Sequence, residues 1–238
     1  MVSLLLPLAE GIWTAHSPHR VAGMELGHRM TVVSLPGGAL WVHSPIEWSR
    51  ELAEELAALG EVRHIVAPNR FHDLWLETWR TKCRTALLWG APGLREEHAG
   101  DRTHITGDLT DEPHQEWAGV IDQVLLLGIP KVNEVVFLHI PSRTLIVADL
   151  VFNLTGKLDF GTTVLATLNG CLNCLAVTRL FKSTIKDRAL FAESVRRVLE
   201  WEFERVVVGH GEIVTTGARH LLAVAFGWLP EAFPQGRG

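Results

Sequence analysis

Short apolar runs that end in polar side chains recur along the chain and predict buried β-strands. Thr144–Ala148 carries no charged residue, which is typical of a strand that is covered on both faces. Three such runs are followed by residues able to bind a ligand: Val62–Ala67 by Asn69, His72 and Asp73, Thr144–Ala148 by Asp149, and Val206–Val208 by His210. If these strands share one sheet, we expect their polar ends to converge at one edge, where open sheets bind ligands.

The remaining pattern predicts strands that alternate with amphipathic helices. Pro36-Gly37-Gly38 and Pro141-Ser142-Arg143 each separate two apolar runs and predict hairpins. Ser44 as the N-cap, Pro45 at the first helical position and Gly60 as the stop predict a helix, which makes a β-α-β unit with the strand that follows. Further helices are predicted at Phe71–Arg80, Asp187–Glu204 and Arg219–Trp228, and further strands at Thr85–Trp89 and Val120–Leu127. This order predicts an α/β chain in which helices cover sheets.

Composition narrows the class of protein. The chain has 238 residues, of which 47% are hydrophobic, and no break in composition marks a boundary, so residues 1–238 are expected to form a single domain. The net charge is −5 and there is no basic run, which argues against nucleic acid as a partner. We expect no membrane segment and no signal peptide. Three cysteines, an odd number, favour a reducing, cytoplasmic setting over a disulfide framework.

Asp149 is the most informative single residue, because a carboxylate at the mouth of a buried strand is costly unless it is satisfied. Backbone N–H groups of the next turn can satisfy it, and so can a cation. Both readings are open at the level of sequence.

The order of elements and the residues at the strand ends resemble the metallo-β-lactamase fold superfamily from about Thr31 to Glu212. The resemblance rests on Gly209-His210 as the final Gly-His pair and on Ala148-Asp149 as the bridging aspartate. It implies an αββα sandwich with a metal site along its edge. Further short matches resemble an uncharacterised branch of that superfamily known as a domain of unknown function: Trp41–Pro45, Ala67–Asn69 with His72, Glu134–Phe137, Ser142–Val147 and Gly209–Gly211.

The metal-binding motif that the resemblance implies is incomplete in this sequence. H-x-H-x-D-H falls on Asn69 to Leu74, where only Asp73 matches, and Asn69 and Phe71 stand where two histidines are expected. The later histidine of the family falls near Asn133-Glu134. The resemblance therefore implies loss of the first metal position and retention of Asp73, Asp149 and His210 at the second. The second position lacks its histidine, because Leu74 stands there. His72 is expected to substitute for it if the turn re-aims His72, and His139 is a further candidate.

Two classes of function follow. Two carboxylates and one or two histidines suit one Zn, Mn or Fe ion, which would serve a hydrolase acting on an ester, phosphoester or lactone. His72 or Asp73 is then the expected base, and Asn69, Glu134 and His139 are pocket candidates. The alternative is a metal-free, non-catalytic domain that binds a small-molecule ligand or a protein.

Cys171-x-x-Cys174 offers a third, redox reading. Its apolar surroundings favour buried, inert cysteines that share a helix face.

Overall fold

The structure contains the predicted helices and strands together with several that the apolar pattern did not indicate. The computed structural model describes residues 3–21 and 24–233; residues 1–2, 22–23 and 234–238 lie outside the described part. The strands are β1 (Leu6–Ala9), β2 (Ile12–Ser17), β3 (Arg20–Val21), β4 (Met24–Glu25), β5 (His28–Ser34), β6 (Ala39–His43), β7 (Glu61–Ala67), β8 (Leu87–Gly90), β9 (Gly107–Asp108), β10 (Ile121–Leu125), β11 (Val135–His139), β12 (Thr144–Ile146), β13 (Phe152–Asn153), β14 (Leu175–Ala176) and β15 (Arg205–Val207). The helices are α1 (Arg50–Leu59), α2 (Leu76–Lys82), α3 (Leu94–Glu97), α4 (Phe160–Asn169), α5 (Arg179–Ser183), α6 (Arg188–Glu200) and α7 (Ala218–Ala225).

The strands form two main sheets. The larger has seven strands in the order β1-β2-β5-β6-β7-β8-β9, antiparallel as far as β6 and parallel from β6 onward. The smaller has four strands in the order β10-β11-β12-β15, of which only the last pair is parallel. Both predicted hairpins are present, as β5-β6 and β11-β12, and the parallel β6-β7 pair flanks α1 as the predicted β-α-β unit requires.

Three apolar layers hold the sheets and helices together. Trp41 and Val66 of the larger sheet pack against Phe137 and Ile146 of the smaller one. Outside the larger sheet lie α1 and α2, which bury Leu52, Leu56, Leu76 and Trp79. Outside the smaller sheet lie α6 and α7, which bury Phe191, Val195, Val198 and Leu222. The expected arrangement, two sheets between two layers of helices, is therefore present.

The predicted start of α1 is wrong by five residues. Ser49, not Ser44, is the N-cap, since its hydroxyl accepts the N–H of Leu52 at 3.1 Å. Ser44 instead lies buried with a left-handed backbone, φ 52°, and its N–H bonds to Val66 O at 2.8 Å. A capping-box pattern depends on local spacing alone, and here tertiary contacts of Ser44 override it.

Two further expectations need correction. The three polar-ended strands do not share one sheet, because β7 belongs to the larger sheet whereas β12 and β15 belong to the smaller. Cys171 and Cys174 do not share a helix face, since α4 ends at Asn169, and only Cys171 is buried. Within the described residues, every helix is too short or too polar to cross a membrane.

Candidate metal centre

The polar ends of β7, β12 and β15 meet where the edges of the two sheets come together. His72, Asp149 and His210 each place one donor atom there, and these atoms lie within 4.8 Å of one another. His72 Nε2 is 3.5 Å from Asp149 Oδ2, and His210 Nε2 is 3.3 Å from Asp149 Oδ1. The predicted convergence is therefore real, although two sheets rather than one create it.

A turn after β7 aims His72 into this cluster. Asn69 Oδ1 accepts the backbone N–H groups of Phe71 at 2.9 Å and His72 at 3.0 Å, an Asx turn that precedes helix α2, which begins at Leu76. Phe71 points outward and is 58% exposed, whereas His72 is 3% exposed. The helix predicted from Phe71 begins five residues later, at Leu76, and this turn lies before it.

The loop after β15 holds His210 with its Nε2 toward Asp149. His210 Nδ1 donates to Gly27 O at 2.7 Å, which leaves Nε2 to face the cluster. Arg29 fixes the same loop by donating to the carbonyls of Val208 and Gly211 on either side of His210. Gly209 is required by space, because a Cβ there would lie 2.9 Å from His72 Cε1 and 2.7 Å from Ala148 O.

Asp149 is the acceptor at the middle of the cluster. Its Oδ2 accepts from Asn69 Nδ2 at 2.8 Å as well as facing His72. Burial by itself would raise the pKa of Asp149, but His72 and the hydrogen bond from His210 outweigh burial and hold the pKa well below its ordinary value. For His210, burial by itself would lower the pKa. The hydrogen bond and the charge of Asp149 outweigh burial, so the pKa of His210 is raised above its ordinary value. Asp149 is thus an ionised carboxylate between two imidazoles.

Glu134 lies beside the cluster but is already fully bonded. Its Oε1 accepts the N–H groups of Ala148 at 2.9 Å and Leu150 at 3.2 Å. Its Oε2 accepts from Asp149 N at 2.9 Å and from Asn69 Nδ2 at 3.1 Å. Burial, followed by the nearby charge of Asp149, raises the pKa of Glu134 to about 7. Four donors on two oxygens make Glu134 a support of the loop after β12 rather than a free ligand.

Two predicted site residues lie away from the cluster. Asp73, expected as a ligand and base, turns from it, and its Oδ2 bonds to His98 Nε2 at 3.0 Å. His139, expected to reach in from the hairpin, is buried at the far end of β11, where its Nδ1 bonds to Ser142 Oγ at 2.7 Å. The five residue steps from Glu134 to His139 span roughly 17 Å of extended strand, which puts His139 out of reach.

Sequence reasoning missed His28 and Ser44. His28 is 2% exposed, and its ring centroid lies 4.6 Å from that of His72. Burial, and next the neighbouring His72, lower the pKa of His28 to about 2, so its ring is neutral. The only signal in the sequence was a histidine at the start of a strongly apolar strand. Ser44 gave no such signal, because its spacing imitates a helix cap.

Comparison with known proteins places the chain in a family. Residues 9–159 match the family model described as "Domain of unknown function (DUF4336)". The chain belongs to this family. The match covers β2 to β13 and so includes Asn69, His72, Glu134 and Asp149, whereas His210 lies beyond it. No curated protein matches the sequence.

Solved structures that resemble this member of the family show its fold. A metallo-β-lactamase from Pontibacter korlensis is 14% identical, with a TM-score of 0.62 over 97% of this chain and 99% of that one. The metallo-β-lactamase FIM-1 from Pseudomonas aeruginosa, in a mono-zinc form, is 11% identical, with a TM-score of 0.63 over 93% of each chain. One from Hirschia baltica is 10% identical, with a TM-score of 0.64 over 93% of this chain and 96% of that one. The chain therefore has the metallo-β-lactamase fold.

Proposed function

We propose that this protein is a metal-dependent hydrolase with a single-ion site formed by His72, Asp149 and His210. The observation that carries the proposal is the convergence of their donor atoms within 4.8 Å at the edge of the sandwich. The fold adds support, since the similar structures include a metallo-β-lactamase in a mono-zinc form. Asp73 is left out of the proposed ligand set because it bonds to His98.

The donor set fits a divalent cation. Two imidazoles and one carboxylate are a recurrent protein set for a zinc ion that keeps a fourth position open, and Mn or Fe would accept the same groups. Each histidine also has its outer nitrogen hydrogen-bonded, His210 to Gly27 O at 2.7 Å and His72 to Ser44 Oγ at 2.6 Å. Such outer partners fix the ring orientation of metal-binding histidines.

Such a cation supplies a Lewis acid that polarises an ester, phosphoester or lactone and lowers the pKa of water. The side chains of this protein would hold the ligands of that cation in place. Asn69 orients the Asp149 carboxylate, and Phe152 packs on His210 with its ring centroid 4.7 Å away. Asp149 is the most accessible of the three proposed ligands, at 16% side-chain exposure, so solvent reaches the site from that side.

One arrangement favours the alternative of a metal-free domain that binds a small molecule or a protein. Asn69 and the region of Glu134 stand where the motif has histidines, and they hydrogen-bond to each other at 3.1 Å. Asp149 is also satisfied by side chains alone, through Asn69, His72 and His210. On this alternative the cluster stabilises loops and the protein folds fully without metal.

Elemental analysis of protein purified without an affinity tag separates these functions. We expect about one transition metal per chain in the wild type, none in Asp149→Ala, and the wild-type content in the matched control Asp73→Ala. A metal-loaded protein would then be screened with esters, phosphoesters and lactones. If the wild type takes up no Zn, Mn or Fe even after incubation with their salts, the hydrolase proposal fails and the metal-free alternative stands.

A further inference from the structure

The hydroxyl of Ser44 lies between two histidine rings. It is 2.6 Å from His72 Nδ1 and 2.9 Å from His28 Nε2. The three side chains are almost fully buried, and the residues are 0%, 3% and 2% exposed for Ser44, His72 and His28. The proposed ligand His72 is therefore the first member of a hydrogen-bonded chain that extends away from the cluster.

A serine hydroxyl carries one proton, so it donates to one ring and accepts from the other. In one arrangement, His72 donates from Nδ1 to Ser44, and Ser44 donates to His28 Nε2. In the other, His28 donates from Nε2 to Ser44, and Ser44 donates to His72 Nδ1. Each group keeps one proton in both arrangements. The nitrogens of the two rings that face Ser44 are thus always in opposite states, and the tautomer of one ring fixes that of the other.

His28 Nε2 also lies 3.3 Å from the backbone oxygen of Ser44, which can only accept a hydrogen bond, so this contact favours the second arrangement while no cation is bound. Only the first arrangement suits a ligand. With its proton on Nδ1, neutral His72 presents a free lone pair on Nε2, the nitrogen that faces Asp149. We propose that Ser44 and His28 are positioning residues that let His72 adopt this tautomer when a cation binds at Nε2, with Ser44 accepting from Nδ1 and donating to His28. The inference rests on the proposed function for its cation, but the coupling between the two rings stands on the contacts of Ser44 alone.

The surrounding structure fixes this chain of hydrogen bonds in place. Ser44 has a left-handed backbone, φ 52°, which costs energy for a non-glycine residue and persists where neighbouring contacts impose it. Its N–H donates to Val66 O at 2.8 Å, and Trp75 packs edge-on against His28 with the ring centroids 5.0 Å apart. Ser44 is thus held between the rings by the end of β6 and by β7 rather than by the spacing of a helix cap.

Zinc affinity, measured by competition with a chelating dye, tests the role toward the cation. We expect Ser44→Ala and His28→Phe each to weaken binding by roughly 10- to 100-fold, as loss of an outer partner does at other sites. We expect His28→Gln, which keeps a hydrogen-bonding group near the position of Nε2, to restore most of the affinity. The double variant should lose little more zinc affinity than either single variant, because both substitutions break the same chain of hydrogen bonds.

Ser49→Ala is the matched control, since it removes the half-buried N-cap of α1 and leaves the hydrogen-bonded chain of Ser44 intact. It should lose stability while keeping wild-type zinc affinity. Wild-type affinity in both Ser44→Ala and His28→Phe would overturn the inference. If Ser44→Ala fails to fold, the comparison of His28→Phe with His28→Gln decides the same point.

Nitrogen-15 shifts of the imidazoles in zinc-free protein give a readout that does not depend on metal. We expect the nitrogens of His28 and His72 that face Ser44 to show opposite protonation in the wild type and to lose that relation in Ser44→Ala. Like states in the wild type would overturn the coupling. A wild type that shows the coupling but binds no zinc would sink the proposed function and the role toward a cation, and only the hydrogen-bonded chain would stand.

Discussion

The side-chain amide of Asn69 donates a hydrogen bond to Glu134 Oε2 at 3.1 Å, which links β7 of the larger sheet to the start of β11 in the smaller. The same amide donates to Asp149 at 2.8 Å. Asn69 and the region of Glu134 fall where the metallo-β-lactamase motif has histidines. In this protein, a hydrogen-bonded pair at those positions supports the loop that carries Asp149.

Loss of Glu134 should therefore be severe. Glu134→Ala leaves three buried backbone N–H groups without their acceptor, at about 1–3 kcal/mol each, so we expect the free energy of unfolding to fall by roughly 3 kcal/mol or more. Urea denaturation measures this loss. Glu77→Gln, at an exposed position on α2, should stay within about 0.5 kcal/mol of the wild type. A Glu134→Ala protein as stable as the control would show that these hydrogen bonds do not support the loop.

Zinc should stabilise the folded protein through the proposed ligands. A cation that binds only the native state at 100 times its dissociation constant adds about 2.7 kcal/mol to the free energy of unfolding. Thermal unfolding with and without zinc should show an increase in Tm for the wild type and for Asp73→Ala, and none for His210→Ala. The same increase in His210→Ala would place the zinc elsewhere on the protein.

Acid should destabilise the protein through His43, which is buried against Trp41 and Phe137. Burial lowers the pKa of His43 from 6.5 to about 3, so between these values the unfolded chain binds a proton that the folded chain excludes. The contribution of His43 to stability is therefore present above pH 6.5 and falls as the pH drops toward 3, by about 1.4 kcal/mol per pH unit.

His43→Phe should weaken this dependence on pH, measured as the free energy of unfolding between pH 4 and 7. His220→Gln is a suitable control, because His220 is exposed on α7. His28 is also buried and neutral and should leave part of the slope in His43→Phe. An unchanged slope in that variant would mean that His43 stays uncharged on unfolding or is already charged in the fold.

The two cysteines of the C-x-x-C pair should react very differently. Cys174 is exposed, whereas Cys171 is buried, and burial, followed by Cys174, raises the pKa of Cys171 to about 11 from 9.0, which leaves roughly a hundredfold less thiolate. Labelling of the native protein with a thiol reagent, read by peptide mass spectrometry, should modify Cys174 first. Equal rates at both positions would instead favour the redox reading of the pair.

The sequence by itself determined eight strands of the two main sheets (β5 to β8, β10 to β12 and β15) and helices α1, α2, α6 and α7, because apolar periodicity is a local property of the chain and burial stabilises it. It did not predict β1 to β4, β13, β14 or helices α4 and α5. It also singled out Asp149 and His210, since each follows a buried strand at the point where the chain leaves the core. His72 was identified only as a conditional candidate, because its direction depends on the turn that Asn69 makes.

Only the tertiary structure decided which side chains meet. Asp73 and His72 are neighbours in sequence, yet Asp73 bonds to His98 whereas His72 faces Asp149. Glu134 was a pocket candidate and is instead saturated by N–H groups that come from another strand end. The spacing around Ser44 predicted a helix cap, but in the structure its hydroxyl lies between the rings of His28 and His72. Contacts between residues distant in sequence fix these roles, and local spacing carries no information about such contacts.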